Sequence, residues 1–263
     1  MTDRKPGFSI ITCTFNSSNY LVECLESVKS QNFSNLEHII VDGGSKDRTI
    51  AIAEEYRKVV GYPVKIIHDP VLGISHAMNK GIKVSTGEYI CHLHSDDIIA
   101  DPHVLTTVNN VVTHSHPQLI VGDCSSFDNS RLFIGRTLPA SKISLIALKY
   151  FTFSYLLLTN KFPHPSVYVH RSIFKEHGLF DEELKTVMDY EYWLRITRKV
   201  RPYIIEKVLS KYRFHSETFS EVNKKLVAKE LKNIRKVYKK AHPYYSKLAD
   251  LIYNFYSKYQ VEL

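Results

Sequence analysis

Two carboxylates stand side by side in Ile90-Cys91-His92-Leu93-His94-Ser95-Asp96-Asp97, directly after a run of residues that belongs in a buried strand. Adjacent side chains leaving a strand point in different directions, so one carboxylate can meet a sugar hydroxyl while the other meets a divalent cation. Mg²⁺ and Mn²⁺ take oxygen ligands and are commonly held by one or two carboxylates, with phosphates completing the shell. A second acidic turn, Asp42-Gly43-Gly44-Ser45, follows another apolar run. It lacks the glycine spacing of a dinucleotide fingerprint, and a carboxylate there would repel phosphate. It could instead accept a hydrogen bond from a nucleobase N–H or a ribose hydroxyl.

The elements that must position these residues alternate along the chain. Apolar runs at Phe8–Thr14, Glu37–Val41, Val64–His68 and Tyr89–Leu93 read as strands. Helical patterns at Tyr20–Ser30, from about Lys46 to Val59 with Ser45 as N-cap, and at Ser75–Val84 separate them. Such alternation predicts an α/β fold, with a mostly parallel sheet covered by helices on both faces. Ligands then sit beyond the carboxyl ends of the strands. The four exits are Thr14-Phe15-Asn16, Asp42 to Ser45, Asp69-Pro70 and Ser95-Asp96-Asp97; every one is polar or acidic, and Asp97 is expected at an exposed position.

With 263 residues, 44% of them hydrophobic, the chain can bury a sizeable core. The start of the sequence carries no signal-peptide pattern and no uncharged 18-residue stretch occurs, which reads as cytoplasmic. Cys13, Cys24, Cys91 and Cys124 lie in apolar runs without CxxC spacing and read as free thiols. The net charge of +8 is unevenly spread: from Lys199 onward 15 Lys or Arg face 6 Asp or Glu, a balance of +9, which leaves the rest at about −1. A basic C-terminal region suits an anionic surface touched by one part of the molecule. That region has no nucleic-acid reading motif, so charge alone does not support a nucleic-acid partner. A nucleotidyltransferase would place a glycine-rich, basic loop after the first strand, and Thr12-Cys13-Thr14-Phe15-Asn16-Ser17-Ser18-Asn19-Tyr20 offers neither.

Five collinear stretches carry a resemblance: SIITCTFN, HIIVDGGSKDRT, GISHAMNKGIKVSTGEYICHLHSDD, HPSVYVHRSIFKEHGLFDEE and MDYEYWLR. Over roughly residues 7 to 215 the chain resembles a family 2, GT-A fold glycosyltransferase, of the bacterial branch that builds capsule, O-antigen or exopolysaccharide repeat units. The resemblance implies inverting, metal-dependent transfer of a hexosyl or N-acetylhexosaminyl unit. The donor is a nucleotide-diphosphate sugar, with a UDP-sugar favoured over GDP- and dTDP-sugars, and the acceptor a glycan or lipid-linked saccharide. It assigns Thr12, Phe15, Asp42, Ser45, Asn79 and Asp96 to the nucleotide-sugar, and Asp97 with His215 to Mn²⁺ or Mg²⁺. Asp189 becomes the general base, and His164 and Glu191 candidates on the acceptor side. Without it, Asp189 reads as the N-cap of a helix over Tyr190–Arg198. The chain departs from the family's pattern at Phe15, where Tyr is usual, at His94, read as structural, and at Ser75-His76, where Tyr-Asp is usual. Met188 replaces an acidic residue, which removes a like charge beside Asp189.

The implied organisation is a catalytic domain over residues 1–220, its nucleotide-sugar half reaching about 125 and its acceptor half following, then a basic helical tail over 221–263. Ile143 to Thr159 is apolar and reads as buried helix, or as a lid or lipid-facing surface. In the tail, Val227, Leu231, Ile234, Tyr238 and Ala241 form an apolar stripe, with lysines on the other faces. The stripe can pack on the catalytic domain or on a second copy in a homodimer; the lysines and tyrosines can meet anionic lipid at the inner face of a plasma membrane.

Overall fold

The computed structural model describes residues 7–70, 73–128, 130, 133–139, 141–215 and 218–259. In its first part β1 (Phe8–Thr14), α1 (Leu21–Lys29), β2 (Leu36–Asp42), α2 (Thr49–Val59), β3 (Val64–His68), α3 (Ile74–Val84) and β4 (Tyr89–His92) alternate as the apolar periodicity requires. There follow β5 (Ile98–Ile99), α4 (Val104–Ser115), β6 (Leu119–Asp128), β7 (Phe133–Arg136), α5 (Lys142–Tyr150) and α6 (Thr152–Leu156). After a 3₁₀ turn at His164–Ser166 come β8 (Val167–His170), α7 (Arg171–His177), α8 (Met188–Thr197), β9 (Tyr203–Phe214), α9 (Phe219–Val222), α10 (Lys224–Ala241) and α11 (Pro243–Tyr259).

The strands form one sheet in the order β3-β2-β1-β4-β8-β6-β9-β5, with β7 on β6. Its first four strands are parallel, and β8 then enters antiparallel between β4 and β6. β1 and β2 are buried almost from end to end, as a sheet covered on both faces demands. The parallel register aligns Thr14 with Asp42 and Asp42 with His68, so the exits of β1, β2 and β3 open at one level. Gly81 lets α3 close on the face of β1, because a Cβ there would collide with the Ile11 side chain.

Two expectations are corrected. Ser45 is not an N-cap: α2 begins at Thr49, whose amide bonds Asp47 Oδ1 at 3.0 Å. The Ile143–Thr159 stretch is no continuous helix but is divided between α5 and α6; Phe153, Tyr155 and Leu156 are buried, whereas Ile146, Tyr150 and Phe151 face solvent.

The helices after residue 220 lay their apolar stripe on the sheet body. Ile234, Ala249, Ile252 and Tyr256 are buried in the core cluster that holds Trp193, Tyr155 and Phe153. Polar ties fix the same contact. Glu230 accepts from the amides of Lys185 and Thr186, Tyr238 donates its hydroxyl to Glu191 at 2.6 Å, and Arg235 donates to the Tyr190 hydroxyl at 3.0 Å. Among the described residues no helix is long and apolar enough to cross a membrane. All four cysteines are free, as their spacing implies.

Candidate active site

Beyond the carboxyl ends of β1 to β4 lies a cavity of about 880 Å³. Phe15, Asp96, Asp97, His164, Asp189 and His215 all line it. They arrive from five places in the chain: the exits of β1 and β4, the 3₁₀ turn before β8, the first turn of α8, and the end of β9.

The acidic pair divides as adjacent side chains leaving a strand should, but not with Asp97 exposed. Asp97 is wholly buried, whereas the Asp96 side chain is 23% exposed. Asp97 Oδ1 accepts the Arg213 amide at 3.1 Å, and its Oδ2 is buried without a hydrogen-bond partner. Burial, reinforced by the charge of Asp96, holds the Asp97 carboxyl well above the usual carboxylate range. Asp96 Oδ2 lies 3.2 Å from His215 Nε2, while His215 Nδ1 is buried and unpartnered. The His215 ring packs on Tyr20 with centroids 4.5 Å apart.

Arg213 organises this corner, and sequence reasoning missed it. Its guanidinium donates to the Asp96 carbonyl at 3.1 Å, pairs with Glu23, and lies over the rings of Tyr20 and Phe127. A single arginine within a strand carries no local signal of such a role; only its place two residues before His215 could have pointed to it.

The donor set fits a divalent cation. Hard carboxylate oxygens, one of them buried and unsatisfied, adjoin an imidazole with a free nitrogen. Among the described residues no group of three His, Cys, Asp or Glu is placed to hold a metal alone. That agrees with an ion bound by one or two protein ligands and completed by substrate phosphate.

Asp189, which also lines the cavity, sits in the first turn of α8. It does not cap the helix: the N-cap position is Val187, and Asp189 Oδ1 accepts the adjacent Tyr190 amide at 2.7 Å. Burial raises its carboxyl to about 6, partly offset by the backbone amides of Tyr190 and Asp189 itself. His164 Nδ1 lies 3.9 Å from Asp189 Oδ2, and neither ring nitrogen of His164 has a hydrogen-bond partner. His94, expected to be structural, also lines the cavity; its ring stacks on His164 with centroids 5.2 Å apart and His92 packs beside them. Burial first, then the neighbouring His92 and His94, keeps His164 well below the usual histidine range and therefore neutral.

Five residues expected at the site do not reach the cavity wall. Thr12 is buried and bonded to His38 Nε2 at 2.9 Å. Asp42 is buried with both oxygens occupied: Oδ1 accepts from Thr14 and Ser45 hydroxyls, and Oδ2 from the Gly44 and Ser45 amides. Gly44, at φ +92°, turns its amide inward toward that carboxylate. Ser45 is used in the same turn, donating to Asp42 and accepting from the Asn16 amide. Asn79 clamps a distant loop through Phe180 N, Phe180 O and Glu182. Glu191 is held by Arg195 and Tyr238. His76 does line the cavity, where it joins Glu182, at 3.0 Å, to Asp69, at 3.5 Å.

Residues 9–178 match the profile of glycosyl transferase family 2, and the chain belongs to that family. It is similar to an uncharacterized glycosyltransferase of Rickettsia bellii, with 32% identity over 220 residues that cover 82% of this chain and 31% of that protein. The chain thus spans about a third of that relative's length. Its fold is similar to that of S. aureus TarS 1-349 in complex with UDP-GlcNAc, at TM-score 0.65 and 21% identity over 89% of this chain and 72% of that one. It is also similar to the mannosyltransferase PcManGT of Pyrobaculum calidifontis in complex with GDP-Man and Mn²⁺, at TM-score 0.64 and 14% identity over 97% and 76% of the two chains.

Proposed function

We propose that this chain is an inverting glycosyltransferase that moves a hexosyl or N-acetylhexosaminyl unit from a nucleotide-diphosphate sugar to a hydroxyl of a glycan or lipid-linked saccharide, in surface polysaccharide synthesis at the inner face of a plasma membrane. The observation that carries the reading is Asp189: a carboxylate in the cavity wall, raised to about 6, sharing one space with the Asp96-Asp97 pair. A UDP-sugar is the favoured donor, and the UDP-GlcNAc held by one relative of similar fold supports it.

The acceptor hydroxyl attacks poorly until its proton is removed. Asp189 is ionised at neutral pH, yet basic enough to take that proton as the new bond forms, a contribution of about 10²–10⁴-fold. Neutral His164, beside it with both ring nitrogens unpartnered, can hold a substrate hydroxyl without adding charge. Phe15, largely exposed at the cavity rim, offers a ring face for stacking a base. Asp97 with His215 would hold a divalent ion, which when bound would neutralise charge on the departing diphosphate, and Asp96 would meet the nucleotide-sugar.

A thermal-shift screen tests the reading, with UDP-GlcNAc, UDP-glucose, GDP-mannose and dTDP-glucose each measured with and without Mn²⁺. A true donor stabilises by mass action, about 2.7 kcal/mol at a hundred times its Kd. Asp97→Asn should lose the Mn²⁺-dependent part of the shift; an unchanged shift in that variant overturns the metal assignment.

A further inference from the structure

The two C-terminal helices account for the protein's whole excess charge. Residues 224–259 hold ten Lys or Arg against two Asp or Glu, a balance of +8 equal to that of the entire chain. Both carboxylates are engaged, Glu230 inward with Lys185 and Thr186, and Asp250 with Lys239 at 3.6 Å.

With their apolar stripes committed to one core cluster, α10 and α11 leave their remaining faces exposed. On α10 the exposed residues Lys225, Lys229, Lys232, Lys236 and Lys240 recur at intervals of four, three, four and four, which is one helical face. On α11 exposure falls on large apolar side chains: Tyr244 is 73% exposed, Leu251 66% and Tyr253 53%. Between these helices and the end of α6 a second cavity, of about 710 Å³, is floored by Leu157, Leu158, Leu231 and Tyr253. Lys232, Arg235 and Lys239 stand along its α10 side, and Asp250, paired with Lys239, lines it from α11.

Each feature narrows the partner. Cations in this number call for an anionic surface. A second copy of the same face would bring +8 against +8. Exposed leucine and an apolar-floored cavity gain nothing from phosphodiesters or base edges, but are what the headgroup and acyl boundary of a bilayer accepts. We propose that the outer face of α10 and α11 seats the protein on an anionic phospholipid bilayer, with one lipid phosphate at Lys232, Arg235 and Lys239 and the start of its acyl chain on the Leu157–Leu158 floor. Lysines that flank the cavity add attraction that falls with salt, while the floor adds a contact that salt does not screen. The inference rests on the membrane part of the proposed function and deepens it, by giving the surface and the lipid chemistry.

Sedimentation of the full chain with sucrose-loaded vesicles, of phosphatidylcholine alone or with about 30% phosphatidylglycerol, tests it. The expected result is binding only to the anionic vesicles, falling at least tenfold when Lys229, Lys232 and Lys236 are all changed to Gln. Ala228→Trp, on the exposed rim of the cavity, fills the space without altering charge and should cut the salt-resistant binding severalfold. Unchanged melting temperatures of both variants exclude unfolding as the cause. Absence of binding by the unaltered chain overturns the membrane reading together with this inference. Binding that both variants retain in full overturns the inference alone, as does equal binding of phosphatidylcholine, or displacement from the vesicles by a single-stranded oligonucleotide at equimolar phosphate.

Discussion

Asp42 and Asp189 are carboxylates of one fold, each at the end of a secondary-structure element that opens toward the same cleft, yet their surroundings are opposite. Four donors converge on Asp42: two hydroxyls and two amides, from Thr14, Ser45 and Gly44. Asp189 receives one short bond from the Tyr190 amide, feels its own amide, and meets an unpartnered imidazole and the cavity but, among the described residues, no side-chain donor. The first carboxylate builds a turn; the second keeps an oxygen for something else. Residue type and position at an element's end do not separate these roles. The number of donors the chain itself supplies does.

The largest effect that could break this comparison is catalytic. Asp189→Asn keeps the size of the side chain but cannot take a proton, so steady-state kinetics should show kcat lowered by about 10²–10⁴-fold with donor affinity little changed. The same variant should be more stable than the wild type at pH 7, by up to about 3 kcal/mol in denaturant unfolding. A carboxyl raised from 3.8 to about 6 disfavours the folded state when ionised. The gain of the variant should therefore vanish below about pH 4 and be complete above about pH 6.

Asp42→Ala should do the reverse. Removing an acceptor that serves four donors, in a buried turn, should cost about 2–4 kcal/mol of stability in denaturant titrations. Reduced nucleotide affinity with an unchanged unfolding midpoint would instead make Asp42 a ligand-binding residue. In a pH series, transfer by the wild type should fall about tenfold per unit below about pH 6, as Asp189 takes up its proton. The smallest effect belongs to Glu191, a carboxylate of the satisfied kind. Tyr238→Phe removes one of its charge-assisted hydrogen bonds and should lower stability by about 1–2 kcal/mol, with donor-induced thermal shifts unaltered.

Much of the architecture was legible because periodicity depends on short-range spacing. The four N-terminal strands follow from continuous apolar runs, and the inward stripe of α10 from Val227, Leu231, Ile234 and Tyr238 at intervals of four, three and four. Asp96 and Asp97 were legible from their place at a strand exit, whereas His164, Asp189 and His215 were drawn to the site only by the family resemblance. What could not be read was how the carboxyl and amide groups are satisfied. Asn79 answers to Phe180 and Glu191 to Tyr238, partners 101 and 47 residues away. Asp42 is satisfied locally, but only because Gly44 adopts φ +92° and turns its amide inward. Burial of Asp97 likewise depends on β9, which brings the Arg213 amide across from 116 residues away.

The most direct test of the difference between occupied and free carboxylates needs no donor sugar. In ¹³C-NMR titration of the aspartate carboxyl carbons, with Asp189→Asn used to assign the resonance, Asp189 should titrate at about 6. A midpoint near 4, the value of an ordinary solvated aspartate, would contradict the account.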